Sequence, residues 1–199
     1  MKSLEESFQQ AAKNPTVLND LDEVLAWSDE ESRIGVASLN LPFPCSLELH
    51  ATYGNDEIKA ALGGATFESA GSTGVGWLHF RPIQTIVALV TFQKTEKEFS
   101  PSTMYQDYPI SRDLLHWETQ AQTTQASEPG QNMIHHEARG YTMLFFVRAQ
   151  KRVDGVTAPF TFLGPAKLVS HQSDRPIQMI WRLDHSMPAE MFEENRRGG

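Results

Sequence analysis

Between Phe99 and Gln120 the chain reads FSPSTMYQDYPISRDLLHWETQ. One Phe, two Tyr and one Trp sit there among Ser, Thr, Gln, Asp and His, with prolines at both ends of the Tyr pair. Tyr105-Gln106-Asp107-Tyr108 combines two π-faces with hydrogen-bonding groups. A buried Tyr needs a partner for its hydroxyl, so such residues suit a wall that is part apolar and part polar. A planar polar ligand fits a wall of this kind. A nucleobase taken out of a duplex is read in the same way, by stacking and by contacts to its Watson–Crick edge. Asp107 has the acceptor needed for an exocyclic amine such as cytosine N4, and Glu118 or Gln120 could serve likewise. Phe99 and Trp117 serve equally well as core residues.

Other constellations carry less. Ser100, Ser102 and Ser111 lie near His116 and Asp107, but no nucleophile elbow surrounds them. Asp107 and Asp113 suit turn caps as well as they suit paired carboxylates for hydrolysis. His135-His136-Glu137 has no matching ligand spacing and reads as a surface loop pair. GGATFESAGSTG lacks the lysine and the strand-loop-helix setting of a phosphate cradle. Cys45 is the only cysteine, which excludes an internal disulfide and suits a reducing cytoplasm. No catalytic set, metal site or cofactor site is expected.

The elements that must position these residues are short. Residues 1–40 read as a helical arm or linker, with Pro15 breaking a first run and Leu18, Leu21, Val24 and Leu25 forming a second stripe; Asn14 or Thr16 is its cap. Residues 41–194 read as one β-rich domain. DEIKAALGG is a short helix capped by Asn55 and closed by Gly63 and Gly64. TGVGWLHF, TIVALVTFQ, GYTMLFFVRAQ, FTFLGPAKLVSHQ and PIQMIWRLDH read as strands, and KRVDGVTA as a hairpin turning at Asp154-Gly155. SLELHA is a strand or short turn, and TTQASEPGQN is a loop by composition. Strands do not alternate with long helices, so the expected fold is α+β and mainly β: a curved antiparallel sheet or small barrel with short flanking helices.

The net charge is -8, which argues against indiscriminate binding to phosphate backbones. Much of the acid lies in the arm, at Glu5, Glu6, Asp20, Asp22, Glu23, Asp29, Glu30 and Glu31. No apolar run reaches membrane-spanning length and no signal core opens the chain. The expectation is a cytoplasmic protein without membrane contact.

HATYGNDEIKAALG, KTEKEFSPSTMYQDYPISRDLLHWETQ, FVRAQKRVDGVTAPFTFLGPAKLVSH and RPIQMIWRLDHSMPAEMF resemble a C-terminal domain of helicase-like bacterial proteins. There a phospholipase-D-type nuclease and a superfamily-two helicase precede it, as in modification-dependent restriction enzymes of the SauUSI type. The resemblance runs over roughly residues 47–192. It implies a target-recognition domain similar to SRA and other PUA-like readers of 5-methylcytosine or 5-hydroxymethylcytosine, itself without catalysis. It implies double-stranded DNA carrying modified cytosine as ligand, with helicase and nuclease domains in cis or in trans. This chain carries neither of those segments and is acidic where a DNA binder is expected to be basic.

On that footing the base pocket is expected to comprise Phe99, Tyr105, Asp107, Tyr108, His116, Trp117 and Gln120. Lys94, Lys97, Arg112, Arg139, Arg148 and His171 are the candidates for phosphate contacts, each equally readable as a solvated strand-edge charge. Two other readings stand beside this one: a module that docks on a helicase or nuclease, and a nucleic-acid hydrolase acting through His116. A homodimer is left open.

Overall fold

Two unbroken apolar runs form the centre of a sheet. The computed structural model describes residues 13–23, 39–63, 76–93 and 107–196. The chain divides into two units, Met1–Ser38 and Leu39–Gly199. In the second unit the strands are β1 (Thr52–Tyr53), β2 (Trp77–Phe80), β3 (Thr85–Thr91), β4 (Tyr108–Pro109), β5 (Leu114–Glu118), β6 (Thr142–Arg148), β7 (Arg152–Val153), β8 (Val156–Thr157), β9 (Phe160–Gln172) and β10 (Gln178–Leu183). Every residue of β3 is buried. Ile86, Ala88 and Val90 face one core, and Val87 and Leu89 face another. A strand covered on both faces has no polar positions to alternate with, which is why β3 and β6 read as continuous hydrophobic runs.

The main sheet has eight strands, ordered β2-β3-β6-β9-β10-β5-β4, with β1 added to β9. The fold is α+β and mainly β. Its path ends at β2 and β4, so among the described residues the sheet does not close into a barrel. It is also mixed: β3 pairs with β6 in parallel, while the other pairs are antiparallel. Hairpin spacing alone predicts an antiparallel sheet. The parallel pair arises because β4 and β5 are laid down on the far side of β10 before the chain returns to β6.

One core gathers large rings. Trp117 meets Phe145 edge-on at 6.0 Å, and Phe145 lies 5.5 Å from Trp181. The other stacks Phe146 on Phe162 at 4.6 Å beneath Ile58 and Leu62. Burying a side chain of this kind contributes about 1.5–3 kcal/mol. β9 serves both cores because it bends. Its registers with β6 and β10 each shift once. At the first shift stands Gly164 with φ +81, where an added Cβ would lie 3.1 Å from Leu49 Cδ1 and 3.5 Å from His185 Cδ2. TFLGPA is therefore a bulge whose glycine is required by both conformation and space.

The helices are short. In the first unit α1 covers residues 15–23, and Asn14 Oδ1 accepts from the Thr16 amide at 3.1 Å. Pro15 thus opens this helix at its first position, where its missing N–H costs nothing. In α2 (Asn55–Ala61) the cap is Gly54 rather than Asn55: Gly54 N–H donates to Glu57 Oε2 at 2.6 Å. Gly63, at φ +73, follows its last turn.

α3 (Glu128–Ile134) occupies half of the stretch that composition reads as loop. Ser127 Oγ caps it and Pro129 sits in its first turn, and Met133 anchors it in the first core. α4 is Ala189–Asn195. β7 and β8 form the expected hairpin, with Asp154 at φ 51 and Gly155 at φ 81. SLELHA is not a strand; it turns at His50, φ 66.

Candidate functional site

Strand β5 reads Leu-Leu-His-Trp-Glu, and its alternation divides two roles. Leu115 and Trp117 point into the first core, so Leu114, His116 and Glu118 face the other way. On β10, Met179, Trp181 and Leu183 are buried, leaving Gln178, Ile180 and Arg182 on the outer face. The registers align these residues in rows. Tyr108 lies opposite His116, His116 opposite Ile180, and Ile180 opposite Ser170. Glu118, Gln178 and Gln172 form the next row, and Leu114, Arg182 and Lys167 the row on the other side.

Within the first row the Tyr108 and His116 rings stack at 4.7 Å, 14° from parallel. Both are half-buried. The adjacent row is tied by side chains: Gln178 Nε2 donates to Glu118 Oε1 at 3.0 Å, and Gln172 Nε2 donates to Gln178 Oε1 at 2.8 Å. An aromatic surface at the sheet edge thus adjoins an oriented line of donors and acceptors, with Arg182 and Lys167 on the opposite flank. This combination can hold a planar ring by stacking and read its polar edge.

The predicted pocket residues divide accordingly. Tyr108 and His116 are brought together. Trp117, 2 % exposed, is sealed in the core and cannot wall a pocket; its place on the inward side of β5 is the reason. Asp107 is also buried, and its Oδ1 accepts from the Glu118 amide at 2.9 Å. It straps the start of β4 to β5, while the Glu118 side chain lies in the outer row with Gln178. Gln120 sits outside the rows, its amide against Gly76 just before β2. Phe99 and Tyr105 lie outside the described residues, as do Lys94 and Lys97.

Among the phosphate candidates, Arg148 is committed elsewhere. It donates to Thr91 Oγ1 at 3.1 Å and to the Ala158 carbonyl at 2.9 Å, and its guanidinium lies 4.1 Å from the Phe160 ring centroid. Arg139 donates to Asn132 Oδ1 at 2.7 Å. His171 pairs with Met179 and so belongs to the opposite face from the rows. Arg112 is exposed and donates through Nε to the Met187 carbonyl at 2.9 Å. Sequence reasoning missed Gln172, Gln178, Ile180, Arg182 and Lys167. The signal was present in QMIWRL, whose odd and even positions separate cleanly, but which face was outward depended on β5.

His136 corrects the reading of a surface loop pair: His135 is exposed, but His136 is 3 % exposed. Its Nε2 accepts from the Leu168 amide and its Nδ1 faces the Tyr141 carbonyl, each at 3.3 Å. These partners require the neutral tautomer with the proton on Nδ1. The imidazole thereby satisfies an amide at the second β9 shift, on which the Ile180–Ser170 alignment depends.

Burial lowers its pKa below the usual 6.5. In the unfolded chain the ring therefore binds a proton first, and the native state loses stability as pH falls through 6.5 toward the native value. The slope is at most about 1.4 kcal/mol per pH unit for one group. Urea unfolding at pH 7.5, 6.5 and 5.5 will show a declining midpoint. A His136→Asn variant, less stable at neutral pH, will show a shallower decline; an equal decline would remove His136 as its source.

Near this ring a cleft of about 180 Å³ is lined by Asn40, His136, Glu137, Lys167 and Asp184 among others. Lys167 and Glu137 pair across 3.6 Å. Among the described residues, no group of three or more His, Cys, Asp or Glu could hold a metal ion, and no helix is long and apolar enough to cross a membrane.

A protein-family model described as a Domain of unknown function, DUF3427, matches residues 47–195. No curated protein matches the chain.

Proposed function

The chain belongs to the DUF3427 family, and from that premise we propose that its Leu39–Gly199 unit reads modified cytosine in duplex DNA. It does so as the target-recognition module of a modification-dependent restriction system of the SauUSI type, in the manner of SRA and PUA-like domains. Helicase and nuclease domains, in cis or in trans, supply ATP hydrolysis and cleavage. The observation that carries this reading is the Tyr108–His116 stack beside the Glu118–Gln178–Gln172 line.

A cytosine turned out of the duplex stacks on the ring pair and offers its amine to the Glu118 carboxylate. Stacking is worth about 1–3 kcal/mol per base, which offsets the few kcal/mol of unstacking and unpairing. A 5-methyl group adds about 0.8 kcal/mol when buried, a factor of about four in affinity. Preference for methylation alone is therefore modest unless shape amplifies it.

Gel shifts at fixed salt with unmodified, methylated, hydroxymethylated and glucosylated duplexes test the reading. Tyr108→Ala and His116→Ala, folded by circular dichroism, will bind about 5- to 150-fold more weakly, the equivalent of 1–3 kcal/mol. Folded variants that bind as the parent does would refute it.

A second reading, a docking module for a helicase or nuclease, draws on the net charge of -8 and on the β7–β8 hairpin, where Val153 and Val156 are 55% and 70% exposed. A chain that captures a purified helicase and shifts no duplex would favour it.

A further inference from the structure

We propose that the cleft beside His136 is a binding site for a small alkylammonium ion, with Asp184 as its counter-ion. The cleft encloses about 180 Å³. That is below the roughly 300–1,000 Å³ usual for drug-sized ligands, so its occupant is small. Backbone hydrogen bonds fix its walls. Asp184 N–H donates to the Pro165 carbonyl at 3.0 Å, directly after the Gly164 bulge, and Tyr141 N–H donates to the His136 carbonyl at 2.7 Å. Met143 and Leu183 both lie opposite Ala166 in the sheet. A cleft bounded in this way by β6, β9 and the end of β10 keeps its shape without a ligand.

Floor and rim differ in chemistry. His136, Met143 and Ala166 line the floor and are buried. Both His136 nitrogens are engaged, by the Leu168 amide and the Tyr141 carbonyl, so the ring has no donor or acceptor left for a ligand. Leu41 and Pro165 add apolar wall. The floor therefore receives hydrocarbon. The exposed rim carries the charge, on Glu137, Lys167 and Asp184, with the Asn40 amide beside them. Lys167 and Glu137 neutralise one another across 3.6 Å. The Asp184 carboxylate has no hydrogen-bond or ion-pair partner among the described residues. The cations next to it in sequence are directed elsewhere: Arg182 belongs to the outer row with Leu114, and the His185 ring lies against Gly164.

The rim thus holds one net negative charge over an apolar floor. A metal ion is a poor complement, since among the described residues no group of three or more His, Cys, Asp or Glu could hold one. An ammonium on a short hydrocarbon stem matches both parts. Its stem displaces water from the floor, and its N–H groups donate to the Asp184 carboxylate, with the Asn40 side chain supplying a further acceptor. The site stands whether or not the outer face reads DNA.

The test uses the full chain, with the amide resonances of Met143, Ala166 and Asp184 followed by NMR during titration with n-butylammonium chloride. Sodium butyrate and butanol, of equal stem length, are the controls. Butylammonium is expected to give saturable shifts in the millimolar range and to bind more tightly than either control. Asp184→Asn is expected to weaken butylammonium binding about fivefold, the upper end for an exposed ion pair. Lys167→Gln removes the repelling cation, releases Glu137 and is expected to strengthen binding by a similar factor. Opposite signs in two folded variants report charge rather than altered packing, and urea midpoints establish that both are folded. Butyrate or butanol binding as tightly as butylammonium would reveal an apolar hole without charge selection and overturn the proposal. So would an Asp184→Asn variant that binds as the parent does, a Lys167→Gln variant that binds no more tightly, or three amides that show no saturable shift.

Discussion

Gly130→Ala will destabilise the protein by about 3 kcal/mol, the upper part of the usual overpacking range. On an exposed helix the same change gains about 1 kcal/mol, because alanine is the better helix former. Here the sign reverses. A Cβ on Gly130 would lie 2.0 Å from the Thr124 carbonyl oxygen and 3.2 Å from Ser127 Oγ. That carbonyl cannot swing aside cheaply, since it accepts from both Ser127 Oγ and the Ser127 amide. Nor can the loop move alone. Thr119 Oγ1 donates to the Thr123 carbonyl and accepts from the Ile177 amide, and Gln125 reaches Ser173 and Asp174. Displacing Thr124 therefore strains the junction of β5, β9 and β10. Urea midpoints at an unchanged m-value measure the loss. Gly155→Ala is the comparison: its φ is +81 but nothing lies within 4 Å of the new Cβ, so it will lose only the about 1–2 kcal/mol of a left-handed residue. Equal losses would mean that the Thr124 loop does not pack as described.

The second large effect separates neighbours on one strand. Trp117→Ala will cost about 3–5 kcal/mol of stability, as truncation of a large buried ring does. Trp117 closes against Phe145, which also packs on Trp181, so the cavity opens in the middle of the first core. His116→Ala, one residue away and on the outer face, will change stability far less and, on the proposed DNA reading, duplex binding far more. For Trp117→Ala, duplex binding will follow the fraction folded, with the affinity of the folded molecules unchanged. A Trp117 variant that stays fully stable yet loses affinity would place the ring in the site after all.

What the sequence makes legible depends on how far each signal reaches. TIVALVTFQ and GYTMLFFVRAQ declare buried strands because both faces are covered. Asp154-Gly155 declares its hairpin because two successive left-handed residues are a local demand. α3 is hidden because Pro129 and Gly130 read as turn residues, and it takes the Ser127 cap and the burial of Met133 to make the segment helical. The site was half legible. Aromatic and polar clustering singled out Tyr108 and His116, but could not say which of His116 and Trp117 faces inward. That choice is made by β10, some sixty residues later. The residues completing the face reside on β9 and β10, and only register brings them there.

Strands β3 and β6 lie side by side in parallel, and partners such as Thr91 and Arg148 are separated by 57 residues. On a ribosome adding about 5–20 residues per second, the second of these emerges roughly 3–11 s after the first. Throughout that interval β3, apolar from Ile86 to Val90, can pair only with the short β2. The opposite edge of β3 is then an open template for any nascent chain nearby. The protein is thus most exposed to aggregation while it is being made, in the seconds before its own sixth strand arrives.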